Sequence, residues 1–542
     1  MVDYFIKDAF IVDGTGAPGF RSSLSVKDGK IVSLGEAQSQ AKETINAEGL
    51  VVSPGFIDIT NHSDTYWTLF SIPGQDSMVM QGVTTLMGGN CGSSLAPLAS
   101  GEAIRALQKW TPLGEVALNW RTVKEFLAAV EDRGLGVNFG TFVGHSTLRR
   151  GVVGDEMRPL ETEELDKMVF LLEESLKDGA FGMSTGLVYA HGKYTSIDEL
   201  VTLGQVLARY QCLYTTHLRS EGRHLLSAVD EVIHISEESG VAAHISHFKA
   251  IGKRNWPLFS QALTLLNRAL KRGLDLTFDI YPYRSTGSVL YLLLPDWVLK
   301  GGKDKILSRI KNPELRVRII KQMAEHPIPY ERIFVADAWR RGEEVALGKS
   351  IEALAKSVRK IPQEIVLDLL ISHDLRVVTL QVGEIGLDNL KKALKHPKSL
   401  FASDGAGYDL SFQDQNVIVH PRSFGAFPRV LGQFVRRLKL ISLETAVARM
   451  TGQIAQLLKL SHRGKIDRGF FADLVLFDAE RILDESQYFS PYKYSTGIEY
   501  VFVNGRMVVK EGKLIGGQVG HILRSMGKST RAKKVHDKEN LS

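Results

Sequence analysis

The sequence has few cysteines and no long apolar run, and each of these absences argues against a class of protein. Only two of its 542 residues are cysteines, Cys91 and Cys212, so a disulfide framework is not expected and a reducing compartment fits. No apolar run approaches the roughly 18 residues of a membrane-spanning helix. The N-terminus carries Asp3 and Asp8, whereas a secretory signal peptide begins with positive charge. We therefore expect a soluble, cytoplasmic protein.

The chain also lacks the basic stripe that a nucleic-acid-binding face requires. Its net charge is +6, but from Arg524 onward six basic residues face two acidic ones, which accounts for four of these charges. The body of the chain is therefore near neutral, and we expect neither a nucleic-acid partner nor a membrane partner. Residues 525–542 are polar and basic without apolar periodicity, so we predict a disordered tail there.

The composition that is present, 44% hydrophobic and 24% charged, is typical of a globular protein. Both ends of the chain alternate apolar and polar residues around glycine turns, as in Leu24–Val32 and Tyr500–Val509. Neither end has enough strands to close a core alone. We therefore predict one small β-sandwich assembled from residues 1–53 and 456–522.

The middle of the chain, residues 54–455, alternates short apolar strands with helix-period segments such as Glu163–Asp178 and Leu225–Ser239. Eight strand–helix units predict an α/β fold, a TIM-like (β/α)8 barrel. The last interval is too long for one crossover, so we predict a mainly helical insertion at about 285–399, with helices at Lys303–Ala324 and Ile351–Leu370. The predicted strands are Phe56–Ser63, Thr84–Gly89, Asn138–Gly144, Ala180–Thr185, Leu213–Arg219, Ala242–Lys249, Leu274–Tyr283 and Leu400–Asp404.

Polar residues of metal-ligand type lie at the ends of these predicted strands: Cys91, His217, His247 and Asp404. Because the catalytic groups of a barrel project from the C-terminal ends of its strands, these side chains are expected to meet at one mouth. A cysteine, two histidines and an aspartate suit a catalytic zinc, which accepts sulfur, nitrogen and oxygen ligands and leaves one position for water.

The alternation of side chains along a strand adds detail to this prediction. Lys249 shares a face with His247, whereas His244, three residues from His247, points to the opposite face. Cys212 begins an apolar strand, so we predict that it belongs to the core.

Several motifs resemble those of the D-aminoacylases, the N-acyl-D-amino-acid deacylases of the amidohydrolase superfamily. The most specific is GGNCGSSLAP at residues 88–97, whereas PGFID at residues 54–58 marks only the superfamily. The resemblance extends nearly from end to end but excludes the tail after about Ser525. The other matching motifs are VGHSTLR (143–149), GMSTG (182–186), THLR (216–219), ISHFK (245–249), YPY (281–283), SDG (403–405), HPR (420–422) and FPRVLG (427–432).

This resemblance implies a tightly bound zinc held by Cys91, His217 and His247, and it implies that Asp404 is the general base and acid. In the family, a second and weaker metal position uses a His-x-His motif on the first strand. This chain reads Thr60-Asn61-His62, so His62 remains but the first histidine is replaced by a threonine. We therefore expect one tight zinc, and we expect activity to survive because the Cys/His/His position carries the essential metal.

The resemblance also implies the reaction, which is hydrolysis of a small N-acyl-D-amino acid to a carboxylate and a free D-amino acid. Residues that resemble the family's substrate-binding groups are Lys249, Tyr283 and Arg422, with Tyr189 near the pocket. His145 is expected either to act electrostatically beside the site or to be structural.

Three alternatives remain at this point. The chain could be an amidohydrolase for another linear or cyclic amide or carbamate, although Gly179–Thr185 has no lysine of the kind that bridges two metals in cyclic-amide hydrolases. It could be a degenerate, non-catalytic metal-binding barrel, which Thr60 favours and the retention of Asp404 disfavours. Finally, the basic tail could bind a nucleic acid or another partner.

Overall fold

The computed structural model of the protein describes residues 1–35, 40–100, 118–325, 328–338, 346–525 and 527. None of the helices within these ranges is both long enough and apolar enough to cross a membrane. The strands, numbered along the chain, are β1 (Val2–Ile11), β2 (Phe20–Lys27), β3 (Lys30–Leu34), β4 (Ala41–Asn46), β5 (Val51–Pro54), β6 (Phe56–Asp58), β7 (Val83–Gly88), β8 (Asn138–Thr141), β9 (Val143–Gly144), β10 (Gly182–Gly186), β11 (Leu213–His217), β12 (Ala243–Ile245), β13 (Leu276–Ile280), β14 (Thr286–Val289), β15 (Ile333–Ala338), β16 (Val377–Gln381), β17 (Ser399–Phe401), β18 (Leu474–Phe477), β19 (Ile498–Val503), β20 (Arg506–Lys510) and β21 (Lys513–Leu514).

Both ends of the chain contribute strands to a single nine-stranded sheet. Its order is β21-β20-β19-β18-β5-β1-β2-β3, and β4 pairs with β1 in parallel. An antiparallel bridge between Lys30 and Phe471 returns the edge strand β3 to the segment before β18. The sheet therefore wraps around a buried apolar core that includes Ile6, Leu24 and Leu474. This is the small β-domain that the alternating termini predict.

Eight parallel strands form the central barrel, as the alternation of strands and helices predicts. One part of its wall is β6-β7-β8 and the other is β9-β10-β11-β12-β13-β17. Strands β8 and β9 are two halves of one strand interrupted at Phe142, which makes the number of barrel strands eight. The barrel closes between β17 and β6, where Asn61 and Gly405 form a parallel bridge. Five strands, β6, β11, β12, β13 and β17, end two to five residues earlier than predicted because the chain turns into loops at the barrel mouth.

Helices cover the outside of the barrel and form most of the segments that join its strands. In Leu225–Ser239, buried Leu225, Val229, Val232 and Ser236 recur three or four residues apart, so one stripe of the helix packs inward. The helices are Thr68–Ser71, Asp76–Val79, Val123–Arg133, His145–Val153, Thr162–Lys177, Ile197–Tyr210, Leu225–Ser239, Trp256–Lys271, Gly302–Lys311, Pro313–Ala324, Ile351–Ser357, Pro362–Ser372, Leu387–Lys395, Arg422–Arg429, Leu443–Met450 and Gly452–Leu457, with a π-helix at Val430–Arg437.

The insertion between β13 and β17 differs from the mainly helical prediction in two respects. Each of its two predicted helices is broken in two, at Pro313 and before Pro362, because proline lacks the backbone N–H that continues a helix. Its helices also flank a small antiparallel sheet of order β14-β16-β15 that the sequence analysis did not predict. These strands have only four to six residues each, too short to be distinguished by periodicity from buried helical turns.

The chain after β21 runs along the barrel rather than ending in the β-domain. Phe139 in β8 donates its backbone N–H to His521 (3.0 Å) and accepts one from Leu523 (2.7 Å). Ser525 then donates its backbone N–H to Gly179 (2.8 Å), so the first residue of the predicted tail is hydrogen bonded to the barrel. Residues 528–542 of that tail lie outside the described residues.

Candidate active site at the barrel mouth

Three of the predicted site residues have a left-handed backbone where their strands end. The φ angles are 51° for Cys91, 40° for His247 and 50° for Asp404. A non-glycine residue in this region costs on the order of 1–3 kcal/mol and persists only where its surroundings hold it. His247 donates its backbone N–H to the Asp279 carboxylate (2.8 Å), and Asp404 donates its own to Thr60 (2.9 Å). These turns direct the three side chains into one space.

Cys91, His217 and His247 form a compact group at the mouth. One ligand atom from each lies within 4.8 Å of the others, and Cys91 Sγ is 3.4 Å from His247 Nε2. All three residues are at most 9% exposed. The Nδ1 atom of His217 is buried and has no hydrogen-bond partner among the described residues, as expected of a metal ligand. One sulfur and two nitrogen donors suit zinc, so these residues fit a metal ion.

The electrostatics of this group favour a thiolate ligand. Burial alone would raise the pKa of the Cys91 thiol, but His247 and hydrogen bonds from three histidines hold that pKa well below its usual value. Because the thiolate is the form that binds metals, the histidines prepare Cys91 for that role.

A second group shares Cys91 and adds His62 and Asp404, again with ligand atoms within 4.8 Å of one another. His62 Nε2 lies 3.0 Å from Asp404 Oδ1 and 3.8 Å from Cys91 Sγ. Burial opposes protonation of His62, but Asp404 and Cys91 raise its pKa to about 10. Burial likewise opposes ionisation of Asp404, but Arg422, His247 and His62 hold its pKa well below the usual value, so Asp404 is a carboxylate.

Thr60 takes no part in this second group. Its hydroxyl donates to Asp279 Oδ2 at 2.6 Å, and the same oxygen lies 2.9 Å from His244 Nε2. Thr60, His244 and Asp279 are all fully buried. His244 therefore points away from the ligand group, as the strand alternation predicts, and Thr60 is committed to a polar network beside it.

Two cations, Lys249 and Arg422, lie near the ring of Tyr281. Lys249 Nζ is 5.7 Å and the Arg422 guanidinium 4.8 Å from the ring centroid. Each cation is paired: Lys249 with Glu221 (2.5 Å) and Arg422 with Asp404 (2.5 Å). The structure therefore brings the two predicted carboxylate-binding cations to the same place as Asp404.

Two residues of this site were missed by the sequence analysis, Glu221 and Tyr281. Glu221 follows His217 by four residues, a spacing that is visible in the sequence. The Tyr281 hydroxyl is buried and has no hydrogen-bond partner among the described residues. Tyr281 and Tyr283 have the same parity along the chain, so side-chain alternation alone cannot choose between them.

Tyr283 does not join the group. Its hydroxyl lies 3.4 Å from both the Pro421 carbonyl and Asp484 Oδ2, and the Arg429 guanidinium stacks 4.7 Å from its ring centroid. Arg429 is itself paired with Asp484 (2.8 Å). Tyr283 therefore belongs to a neighbouring buried cluster.

Of the remaining predicted residues, Tyr189 lies at the site and His145 does not. The Tyr189 ring is 5.3 Å from the His217 ring, and Tyr189 packs with Cys91 and with Val289 of the insertion. His145 is fully buried, and its Nε2 lies 2.8 Å from Glu199, which also pairs with Arg149. His145 is thus held in a separate ion-pair cluster.

Comparison with known proteins finds similar sequences and similar structures over almost the full length of the chain. The sequence profile of the amidohydrolase family matches residues 43–509. The chain is 32% identical to a D-aminoacylase from Alcaligenes xylosoxydans xylosoxydans over 96% of this chain and 97% of that protein. A crystal structure of N-acyl-D-glutamate deacylase from Bordetella bronchiseptica, complexed with zinc and a phosphonate mimic of the tetrahedral intermediate, superimposes with a TM-score of 0.81 at 30% identity, covering 96% of this chain and 99% of that one. A D-aminoacylase structure described by its binuclear metal centre, with one-metal activation and second-metal attenuation, gives a TM-score of 0.80 at 30% identity, covering 97% and 100%.

The ligand group yields a direct test with the only two cysteines of the chain. We expect Cys91→Ala to abolish retention of the bound divalent metal while the protein still folds, because it removes the thiolate. Cys212→Ala is the matched control, since Cys212 is equally buried but outside both ligand groups. Metal content after gentle dialysis is the measurement, with circular dichroism as the check on folding. Full metal retention in Cys91→Ala would reject the assignment of this ligand.

Proposed function

The chain belongs to the amidohydrolase family, and we propose that it hydrolyses the amide bond of N-acyl-D-amino acids to a carboxylate and a free D-amino acid. The observation that carries this proposal is the meeting, at one barrel mouth, of a Cys/His/His ligand group, the carboxylate of Asp404, and two cations beside Tyr281. Such a site offers a metal position, a proton acceptor and a place for the substrate carboxylate. The similar proteins named for D-amino-acid substrates support the choice of stereochemistry.

The metal that this site would hold is zinc, with Cys91, His217 and His247 as ligands. When bound, zinc supplies Lewis-acid polarisation of the acyl carbonyl and lowers the pKa of water from 15.7 toward roughly 7. We propose one tight zinc for each chain, because the Thr60 hydroxyl is engaged by Asp279 and leaves His62 without its usual partner ligand.

Asp404 moves the proton in this mechanism. It is 6% exposed, and Arg422 and His62 hold it in its carboxylate form facing the ligand group. It accepts the proton of the attacking water and returns it to the amide nitrogen, because an amine leaves only when it is protonated.

The substrate carboxylate binds between Lys249 and Arg422 in this proposal. Arginine makes bidentate, charge-assisted hydrogen bonds with carboxylates. The Tyr281 hydroxyl has no hydrogen-bond partner in the described part of the chain and can donate there, while Tyr283 is occupied by its contacts with Asp484 and Arg429. The Tyr189 ring lies 5.3 Å from the His217 ring at an interplanar angle of 60°, and Tyr189 borders the space from the side of the insertion.

The alternatives are less well supported. No lysine occurs in β10, so the two-metal arrangement of the cyclic-amide hydrolases has no bridging ligand there. A non-catalytic metal barrel has no use for a buried carboxylate held by His62 and Arg422 beside the ligands. Neither cysteine forms a disulfide, which supports our proposal of a cytoplasmic location.

The function is tested by metal analysis of the purified protein together with a screen of N-acetyl-D- and N-acetyl-L-amino acids. We expect about one tightly held zinc per chain and turnover of the D-substrates, with little turnover of their L-enantiomers. Two zincs retained after dialysis would overturn the metal count. Faster turnover of the L-series would overturn the substrate assignment but leave a metal hydrolase, and turnover of other amides alone would favour the first alternative.

The role of Asp404 is tested by Asp404→Asn, which keeps the size of the side chain but removes the proton acceptor. We expect the protein to fold and to keep its zinc, with a lower thermal stability because Arg422 loses its charged partner. We expect kcat to fall by about 10²–10⁴, the range for loss of a general acid–base. Near-normal turnover at saturating substrate would remove Asp404 from the mechanism.

The carboxylate contact is tested by Arg422→Ala on an N-acyl-D-amino acid and on its α-carboxamide analogue. We expect kcat/KM for the carboxylate substrate to fall by about 10²-fold or more, on the order of 3 kcal/mol. The loss of kcat/KM on the carboxamide should be much smaller. This smaller loss measures the effect that Arg422 has on Asp404, separately from its contact with the substrate carboxylate.

Arg429→Ala is the matched control, because Arg429 lies on the same helix, stacks on a tyrosine and pairs with an aspartate. It should affect both substrates equally. An equal loss on both substrates in Arg422→Ala would mean that Arg422 supports the fold rather than the substrate.

A further inference from the structure

Glu221 links the end of β11, which carries His217, to the loop after β12, which carries His247. It follows β11 and His217 and is 8% exposed. Its Oε1 lies 3.1 Å from Nδ1 of His247, which follows β12, and its Oε2 lies 3.8 Å from Nε2 of His217. Its backbone carbonyl accepts the N–H of Ile251 at 2.8 Å, which fixes the loop after β12 against the loop after β11. Glu221 therefore contacts both loops through its side chain and its backbone.

The contact with His247 determines which ring nitrogen is available to a metal. His247 Nε2 faces Cys91 Sγ at 3.4 Å, so this nitrogen belongs to the ligand group. A neutral imidazole carries one N–H, and a carboxylate can only accept a hydrogen bond. Glu221 therefore places the N–H on Nδ1 and leaves the lone pair on Nε2. Carboxylate partners of this kind orient metal-binding histidines and increase their basicity.

The same carboxylate oxygen also holds Lys249. Lys249 Nζ is 2.5 Å from Glu221 Oε1 and only 2.9 Å from His247 Nδ1. An ammonium group has donors only, and Nδ1 carries an N–H in the metal-binding tautomer. Two donors at this separation are stable side by side because both donate to one anionic oxygen. Without the charge of Glu221, the ammonium group of Lys249 and the N–H of His247 would repel each other.

We infer that Glu221 is a positioning residue that couples the metal site to the substrate site: it fixes the metal-binding tautomer of His247 and, through the same oxygen, the position of the Lys249 ammonium. The second half of this inference rests on the proposed function, in which Lys249 binds the substrate carboxylate. The first half concerns metal binding alone and can be tested without any substrate.

The chain contains a matched control in Glu199. Glu199 is 2% exposed and, like Glu221, pairs with one histidine and one cation, His145 (2.8 Å) and Arg149 (2.5 Å). Neither partner belongs to a ligand group among the described residues. A neutral substitution at Glu199 therefore reproduces the loss of a buried charge pair but leaves the ligand histidines unchanged.

The decisive measurement is the zinc affinity of the metal-free, full-length protein, determined by competition with a coloured chelator. Glu221→Gln keeps the shape of the side chain but loses its charge, and it replaces one carboxylate oxygen with an NH2 group that can only donate. We expect zinc to bind about 10- to 100-fold more weakly. Glu199→Gln should bind zinc as tightly as the parent, and Glu221→Asp should recover part of the affinity. Unchanged zinc affinity in Glu221→Gln would overturn the inference, as would an equal loss in Glu199→Gln.

The coupling to Lys249 is tested at saturating zinc by a double-mutant cycle. Glu221→Gln and Lys249→Met should each raise KM for the carboxylate substrate by about tenfold, and the double variant should be no worse than either one because both act on the same group. Lys249→Met should leave zinc affinity intact, since Glu221 still holds His247. Additive effects on KM would reject the coupling. Absence of D-deacylase activity in the parent protein would reject the proposed function. The zinc affinities would still test the role of Glu221 in metal binding.

Should Glu221→Gln fail to fold, Glu221→Asp decides the question. Aspartate keeps the charge but its carboxylate is set back by one methylene, so we expect weaker zinc binding than in the parent with a smaller effect on stability. Parent-like affinity in this variant would show that the distance from the carboxylate to His247 does not matter, which contradicts a positioning role.

Discussion

The site depends on the way in which the barrel closes between its first and last strands. Asp58 in β6 is fully buried and accepts hydrogen bonds from the backbone N–H (2.9 Å) and the hydroxyl of Ser403, after β17. Immediately after these residues, the backbone N–H of Asp404 donates to the Thr60 carbonyl (2.9 Å), and the backbone N–H of His62 donates to the Gly405 carbonyl (2.7 Å). Burial raises the pKa of Asp58 to about 7 despite these bonds. These hydrogen bonds between the first and last strands bring His62 Nε2 to 3.0 Å from Asp404 Oδ1, although the two residues are 342 positions apart in the sequence.

A second constraint is that the cations of the site are already neutralised by the protein. Lys249 is paired with Glu221 and Arg422 with Asp404, and the side chains of these four residues are at most 10% exposed. An unpaired charge at such depth is costly, so a buried cation needs a partner before substrate arrives. Glu221 and Asp404 serve as these partners, and a substrate carboxylate would share the cations with them. In the proposed function, binding of the substrate carboxylate and placement of Asp404 would therefore be linked through Arg422.

Two expectations for the barrel mouth, for Lys249 and for Tyr283, named residues at or next to the site, but neither anticipated the local geometry there. Alternation along a strand placed Lys249 beside His247, but β12 ends at Ile245 and His247 has a left-handed backbone, so the two side chains meet through a turn. The resemblance indicated Tyr283, whereas the structure puts Tyr281 beside both cations. In both cases the decisive geometry lies in a loop beyond the strand end, where side-chain alternation no longer applies.

The sequence by itself determined the (β/α)8 architecture, the two-ended β-domain and the chemical types of the site, because strand and helix periodicity and the residues at strand ends are local properties of the chain. It indicated, before any distance was known, that Cys91, His217, His247 and Asp404 would meet at one barrel mouth, and the structure places them together there. Only the tertiary structure decided that Thr60 bonds to Asp279, that Glu221 serves both His247 and Lys249, and that His145 belongs to Glu199. The insertion likewise concealed a sheet whose short strands pair across distant segments. The physical reason is the same throughout: a buried polar group must find a partner, and that partner is supplied by whichever segment the fold brings alongside it.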